Sequence, residues 1–187
     1  MARLFLAIQI PESAKRSITH ELETDAQLSE IIKHNSRPIP GENWHITVLF
    51  LGDQSEDAIP AIKQIVQNAI RRIPAPTITF DTLTTAPPEH PPHMLWATIT
   101  PASSAVITPI KDSIEQAFEQ NGIRFKRDFP QFNGHSTVAR DVSSQPYKKL
   151  MAIDPFPASS IELIRSTLTP SGSKYETIAK MDFKSAV

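Results

Sequence analysis

Apolar residues along the chain follow two periodicities, one typical of strands and one typical of helices. β-rich runs predict strands at 3–10, 44–51, 77–83, 94–100, 132–139, 161–168 and 175–183. Apolar residues three and four positions apart predict three helices, which begin at Glu12, near Ser55 and before Ile107, the last ending at Gly122. The segments 36–43, 86–92 and 141–157 have neither period and are predicted to be irregular, and the first two are rich in proline.

The mixture of strands and helices predicts an α+β fold with antiparallel sheets. Strands 77–83 and 94–100 flank the proline-rich turn, and the last two strands flank Pro170-Ser171-Gly172-Ser173, so each pair is a predicted hairpin. No segment is long or polar enough to separate independent domains. We therefore expect one domain with two lobes over residues 1–187.

Composition narrows the class of protein. The 187 residues carry a net charge of −1, whereas proteins that coat nucleic acid usually have a large basic excess. The absence of cysteine excludes disulfides, thiolate metal ligands and a cysteine nucleophile. No apolar run is long enough to cross a membrane, and the apolar start of the chain is predicted to be a strand and not a signal peptide. We expect a cytoplasmic monomer that has no membrane partner.

One short motif occurs twice, as Asn43-Trp44-His45-Ile46-Thr47-Val48 and as Asn133-Gly134-His135-Ser136-Thr137-Val138. Each copy falls on a predicted strand, where side chains two apart share a face. His45 and Thr47 therefore lie on one face, and Trp44, Ile46, Val48 and Phe50 are predicted to fill the other as core. A single His-x-Thr is by default an ordinary strand histidine. The duplication instead predicts two related halves whose histidines and threonines meet in one cleft.

Two imidazoles and two hydroxyls are suited to phosphoryl transfer. One ring acts as general base while the other, protonated, acts as general acid. The threonine hydroxyls donate to non-bridging phosphate oxygens, where charge builds up. A five-membered cyclic phosphate is already strained and carries its own leaving group, so this site needs neither a metal nor a cofactor.

Other charged residues near the motifs allow more than one interpretation. The cluster Arg124-Phe125-Lys126-Arg127 is either a solvated end of an element or a contact for phosphate and base. Arg140 lies on the wrong face for strict alternation, so it reaches the cleft only if its strand ends or bulges. The segment 89–93, EHPPH, contains metal-ligand types, but its prolines stiffen the loop and nothing nearby completes a ligand set.

At this point the sequence resembles the two-histidine phosphoesterases, and within them the bacterial and archaeal RNA 2',3'-cyclic phosphodiesterases, also called 2'-5' RNA ligases. The similarity covers nearly the whole chain and is carried by RLFLAI at 3–8, NWHITVLFLG at 43–52, MLWA at 94–97, HSTVAR at 135–140 and the segment 166–175. In three places the chain departs from the pattern, and one of them is the proline-rich segment 86–92, which is unlike the family's usual hairpin. Gly134 stands where the family usually has proline, which suggests a looser start of the strand. Ser136 stands where it usually has an aliphatic residue, which suggests a weaker core.

The resemblance implies two antiparallel sheets that face a central cleft, helices outside them, and an approximate two-fold axis. It implies metal-independent hydrolysis of a 2',3'-cyclic phosphate at an RNA end to a 2'-phosphate, with reverse 2'-5' ligation as a second activity. By analogy His45 is the general acid and His135 the general base, with Thr47 and Thr137 beside them in the two halves of the site. From the residues themselves we expect Arg140, Lys126 and Arg127 to bind substrate as well. The alternatives are an esterase for small cyclic nucleotides or 2'-5' oligoadenylate, and an RNA-binding module without turnover.

Overall fold

Helices and strands alternate along the chain in the computed structural model, which describes residues 1–33, 36–87, 91–127, 132–142, 145–170 and 172–184. The α-helices are α1 Glu12–Thr24, α2 Ala26–Lys33, α3 Ile59–Ile70 and α4 Pro101–Gln120. The strands are β1 Ala2–Gln9, β2 Arg37–Pro38, β3 His45–Gln54, β4 Thr77–Ile78, β5 Phe80–Ala86, β6 Met94–Ile99, β7 His135–Arg140, β8 Lys148–Leu150, β9 Phe156–Pro157, β10 Ser160–Thr169 and β11 Gly172–Asp182. No helix among the described residues is long and apolar enough to span a membrane.

Two antiparallel sheets form the two lobes. The first sheet has the strand order β11-β10-β1-β3, and the second has the order β2-β7-β6-β5-β8. Strands β3 and β7, which carry the two copies of the repeated motif, contact each other where the sheets meet. The α+β fold with two antiparallel sheets, predicted from the hairpins and the mixed periodicity, is therefore confirmed.

The helices cover the sheets through one apolar face each. α4 buries Ile107, Ile110, Ile114 and Phe118, which are spaced three or four apart. A single continuous core cluster includes residues of both sheets and all four helices. A second, smaller cluster of Phe5, Ala7 and Ile164 lies apart from it and includes the partly buried Tyr175. This small cluster lies on the face of the first sheet that carries His45.

A β-bulge interrupts each motif strand at the same position. Between β1 and β3 the register passes from Leu6↔Leu49 to Ala7↔Thr47, which leaves Val48 without a partner residue. Between β6 and β7 it passes from Leu95↔Ala139 to Trp96↔Thr137, which leaves Val138 in the same situation. An extra residue shifts the alternation of faces by one for everything that follows.

Because of these bulges, Phe50 and Arg140 join the histidine face of their strands. The sequence prediction that Phe50 belongs to the core is wrong: it is 44% exposed, while Val48 and Leu49 are both buried. Arg140 was expected to reach the cleft only if its strand ends or bulges, and β7 has a bulge just before it. Phe50 and Arg140 thus occupy equivalent positions in the two lobes, one apolar and one cationic.

Several boundaries differ from the sequence prediction for reasons of tertiary structure. α2 was not predicted as a separate helix; it begins after Asp25, whose Oδ1 accepts hydrogen bonds from the N–H groups of Gln27 and Leu28 at 3.0 and 3.1 Å. The predicted strand 77–83 is divided into β4 and β5, which pair with different partners. The segment 141–157 contains the short strands β8 and β9. The predicted stop at Gly122 is confirmed, since its φ is +67° just after α4.

Candidate active site

Each motif histidine is held in the same way by its own strand. His45 Nδ1 lies 2.7 Å from the carbonyl oxygen of Asn43, and His135 Nδ1 lies 2.8 Å from that of Asn133. A carbonyl oxygen only accepts, so Nδ1 carries the proton in both rings and donates it. Nε2 is then the nitrogen of each ring that is left to take or give a proton.

The two histidines and Arg140 belong to one electrostatic environment. Burial lowers the pKa of His45, the hydrogen bond to the Asn43 carbonyl opposes this, and the positive charges of His135 and Arg140 lower the pKa further. Strands β3 and β7, which carry these residues, also contact each other where the sheets meet. The structure therefore brings together His45 from β3 and His135 and Arg140 from β7.

The ring of His135 is also partly removed from water. Burial lowers its pKa, and the hydrogen bond to the Asn133 carbonyl opposes that effect. Both rings are thus biased towards their neutral form in the free protein. A neutral imidazole with Nδ1 protonated presents Nε2 as an acceptor, which is the state a general base requires.

The two threonines lie on the histidine faces, as predicted. Thr47 is paired with Ala7 on β1, and Thr137 is paired with Trp96 on β6. Both are half-buried. Within the part of the chain that the structure describes, neither hydroxyl makes a hydrogen bond, so both are free to donate to a ligand.

Aromatic rings surround the histidines, a feature the sequence prediction did not include. His45 meets Phe5 at a centroid distance of 4.9 Å and Tyr175 edge-on at 5.2 Å. His135 stacks on Trp96, with centroids 3.7 Å apart and the planes 15° from parallel. Phe50 continues the apolar surface at 6.1 Å from Phe5. The RLFLAI and MLWA segments contain Phe5 and Trp96, but only the pairing of neighbouring strands shows that they adjoin the histidines.

The three predicted basic residues have different surroundings. Arg140 adjoins His45, as described. The backbone N–H of Lys126 donates to Phe50 O at 2.8 Å, and its side chain lies beside Gly52 at the rim of the first sheet. Arg127 pairs with Glu119 of α4, and its guanidinium lies 5.5 Å from the ring centre of Phe125. Substrate binding by Lys126 and Arg127 stays a prediction.

The departures at 134 and 136 both have structural consequences. A Cβ at Gly134 would lie 2.4 Å from Ile99 Cδ1, so this glycine is closely packed and does not loosen the start of the strand. Ser136 is fully buried, and its hydroxyl has no hydrogen-bond partner among the described residues. An apolar side chain would avoid that cost.

Two surface cavities adjoin the first sheet. One of about 420 Å³ includes Asn43 and Tyr175 in its wall. The other, of about 660 Å³, is lined in part by Arg3, Lys126 and Arg165. Within the described residues no cluster of three or more metal-ligand types is found. Of the three residues considered above for metal binding, Glu89 and His90 lie outside the described residues, and His93 is described.

Two facing sheets, each with a His-x-Thr strand bulged at the same place, define the class of two-histidine phosphoesterase folds. The profile of the "2'-5' RNA ligase superfamily" matches residues 12–167. The chain therefore belongs to the 2'-5' RNA ligase superfamily.

Curated relatives and solved structures agree with that membership. A protein of Methanocaldococcus jannaschii named RNA 2',3'-cyclic phosphodiesterase is 30% identical, with 94% of this chain and 98% of the relative covered. Its namesake in Thermotoga maritima is 24% identical, with 97% and 96% covered. Among structures, TT0787 of Thermus thermophilus has a TM-score of 0.78 at 21% identity, with 97% and 98% covered. E. coli LigT complexed with 3'-AMP has a TM-score of 0.76 at 19% identity, with 98% of both chains covered.

Proposed function

We propose that this protein is an RNA 2',3'-cyclic phosphodiesterase that hydrolyses a terminal 2',3'-cyclic phosphate to a 2'-phosphate. One observation carries the proposal: His45 and His135, held in the same tautomer by matched carbonyl contacts, lie on strands β3 and β7, which contact each other where the sheets meet. Such a site suits one phosphate placed between an acid and a base. The relatives named above support RNA as the class of substrate.

The proposed reaction is an in-line displacement at phosphorus. His135 Nε2 takes a proton from water while the water oxygen attacks phosphorus. The bond from phosphorus to the 3' oxygen breaks, and His45 Nε2 gives its proton to that departing oxygen. The product keeps the 2' ester, so it has a 2'-phosphate and a free 3'-hydroxyl. The same displacement, with an RNA 5'-hydroxyl in place of water as the attacking group, gives a 2'-5' bond.

Thr47, Thr137 and Arg140 are proposed to hold the non-bridging oxygens. The hydroxyls lie on the faces that carry the histidines, one in each lobe. Hydrogen bonds to developing negative charge in a water-poor site contribute more to the transition state than to the ground state. The positive charge of Arg140 offsets the negative charge of the phosphate.

The assignment of His45 as acid requires it to be protonated when substrate is bound. In the free protein the charge of Arg140 lowers its pKa. A bound cyclic phosphate brings one negative charge, which opposes that effect and raises the pKa of His45 again. Once protonated, His45 gives up its proton readily because Arg140 stays beside it.

The experiment uses EDTA-treated protein and an oligonucleotide that ends in a 2',3'-cyclic phosphate. We expect conversion to a 2'-phosphate without added metal. His45→Ala and His135→Ala are each expected to lower kcat by about 10²–10⁴-fold, the usual contribution of one proton transfer. His20→Ala, which removes an exposed histidine of α1, is the matched control and keeps full activity.

Three results would contradict the proposal. They are a 3'-phosphate as the product, turnover that is restored only by a metal, and full activity of either histidine variant. Tight binding of the oligonucleotide without turnover identifies an RNA-binding module instead. Faster turnover of a mononucleotide 2',3'-cyclic phosphate than of the oligonucleotide identifies an esterase for small cyclic nucleotides.

We further propose that residues 1–187 act as one unit, as a monomer and in the cytoplasm, as expected from the sequence. The core cluster that both sheets share supports the single unit. Sedimentation of the purified protein and fractionation of cells test the other two statements. A stable dimer or a membrane-bound fraction would contradict them.

A further inference from the structure

The two candidate catalytic rings differ in what covers them. The indole of Trp96 on β6 lies flat against the imidazole of His135, with a centroid distance of 3.7 Å. His45 has no such partner among the ring contacts of the described residues: Phe5 is tilted by 32°, and Tyr175 meets it at 89°. Within the described part of the chain, only the π face of Trp96 is presented to a catalytic ring at van der Waals distance.

This difference is built into equivalent positions of the two sheets. Trp96 is paired with Thr137, and the residue paired with the other threonine, Thr47, is Ala7. The second lobe therefore has an indole where the first has a methyl group. Thr137 lies two positions from His135 on β7, so a large side chain on the β6 residue paired with Thr137 reaches the ring of His135.

No hydrogen bond accounts for the position of the indole. Its Nε1 is buried and lacks a partner in the part of the chain that is described, whereas Trp44 donates from Nε1 to Ile39 O at 2.7 Å. An unpaired buried donor costs free energy. The interaction of Trp96 that is evident is the stack on His135.

We propose that Trp96 is a positioning residue for His135, which fixes the plane of the imidazole and stabilises the imidazolium that forms when the ring takes a proton from water. This inference rests on the proposed function, in which His135 is the base. The negative π face of an indole attracts a cation more strongly than does that of phenylalanine or tyrosine. Because the charge appears only as the proton moves, the attraction favours the transition state over the ground state.

The charges around the two rings act in opposite directions under this proposal. His135 stacks on Trp96 and is paired with Thr98 on β6, whose hydroxyl lies 3.5 Å from Asp81 Oδ1. The positive charges of His135 and Arg140 both act on His45. Trp96 favours the gain of a proton by His135. Arg140 favours the loss of a proton by His45. This asymmetry agrees with His135 as base and His45 as acid.

The kinetic test compares Trp96→Leu and Trp96→Phe. Leucine keeps the site apolar but removes the π face, so kcat is expected to fall about tenfold with little change in KM. Phenylalanine keeps a weaker face and is expected to restore most of that loss. Phe156→Leu is the matched control and leaves kcat unchanged, since Phe156 stacks on Phe80, with centroids 6.1 Å apart, and has no ring contact with either histidine among the described residues.

A second test does not depend on turnover. Protonated imidazole in contact with indole quenches its fluorescence, so emission is expected to fall with acidification at the pKa of His135. The quenching persists in His45→Ala and Trp44→Phe and disappears in His135→Ala. Imidazole NMR of Trp96→Leu is expected to show a lower pKa for His135 than in the unmodified protein.

Three results overturn the inference: unchanged kcat in Trp96→Leu, quenching that survives His135→Ala, or a pKa of His135 that stays the same or rises in Trp96→Leu. If Trp96→Leu does not fold, two other results decide instead: the kcat of Trp96→Phe, and the fluorescence titration of the unmodified protein compared with that of His135→Ala. Absence of cyclic-phosphate hydrolysis by the unmodified protein would remove the proposed function. The fluorescence and NMR results would still establish or refute the stack.

Discussion

Adding one methyl group at position 134 tests how tightly the second histidine is held. Gly134 precedes His135, and a Cβ there would lie 2.4 Å from Ile99 Cδ1 and 2.8 Å from Ile99 Cγ1. Ile99 is only 5% exposed, and its N–H donates to Gly134 O at 3.0 Å, so neither the side chain nor the backbone is free to move away. Overpacking of this kind costs about 1–3 kcal/mol. We therefore expect Gly134→Ala to lower the free energy of unfolding by about 2 kcal/mol.

A companion substitution identifies the atom responsible. Ile99→Val removes Cδ1, the atom of the shortest contact, and alone costs about 1 kcal/mol. In the double variant the Cδ1 contact is gone and only the Cγ1 contact remains, so the crowding is partly relieved and the loss is expected to be smaller than the sum of the single losses by about 1 kcal/mol. Urea denaturation of the four proteins measures this coupling. Gly41→Ala is the control, since a Cβ there meets nothing within 4 Å.

The same crowding is expected to affect catalysis. The carbonyl of Asn133, which orients His135, is separated from that ring's residue only by Gly134. A displaced carbonyl misaligns Nε2, so kcat of Gly134→Ala falls while KM changes little. A Gly134→Ala variant as stable as the unmodified protein, or losses that simply add with Ile99→Val, would refute this account of the packing.

Three further predictions concern single features of the site and its surroundings. Phe50→Ala is expected to raise KM about tenfold with little effect on kcat, because stacking of a base on an aromatic ring contributes about 1–3 kcal/mol; Val106→Ala, at another exposed apolar residue, is the control, and equal KM values would exclude this role. Ser136→Ala is expected to raise the free energy of unfolding by about 1 kcal/mol in urea denaturation, since it removes a buried hydroxyl without a partner among the described residues; a loss of stability would show that the hydroxyl is satisfied. Burial lowers the pKa of His45 and His135 below the ordinary 6.5. The contribution of these two neutral rings to the free energy of unfolding is therefore complete above pH 6.5 and is lost as the pH falls through the lowered pKa values. Replacing both by Asn should flatten that part of the stability curve, and an unchanged slope would contradict the pKa shifts.

The pairing of His45 with His135 was predictable because two copies of a motif on strands encode it locally. Alternation along a strand is a local rule, and it placed the threonines correctly beside the histidines. It failed at Phe50 because the bulge at Val48 depends on how β3 pairs with β1. Arg140 depended on the matching bulge in the other lobe. Sequence periodicity does not reveal the register of β3 on β1 or that of β7 on β6.

The contacts of Trp96 were beyond prediction for a related reason. MLWA identified a strand but not the neighbour against which it lies. The stack on His135 arises from the register of β6 and β7, which is set by contacts across the whole sheet. The short strands β8 and β9 were missed likewise, because each consists of few residues and is stabilised by partners distant in the chain.

The imidazole NMR signals of both histidines, followed as inorganic phosphate is added to metal-free protein, test most directly whether one anion lies between the lobes. We expect the resonances of His45 and His135 to shift together along a single binding curve, and Arg140→Gln to weaken both responses equally. Signals that move for one ring only, or that follow two different dissociation constants, would mean that the lobes do not share a phosphate.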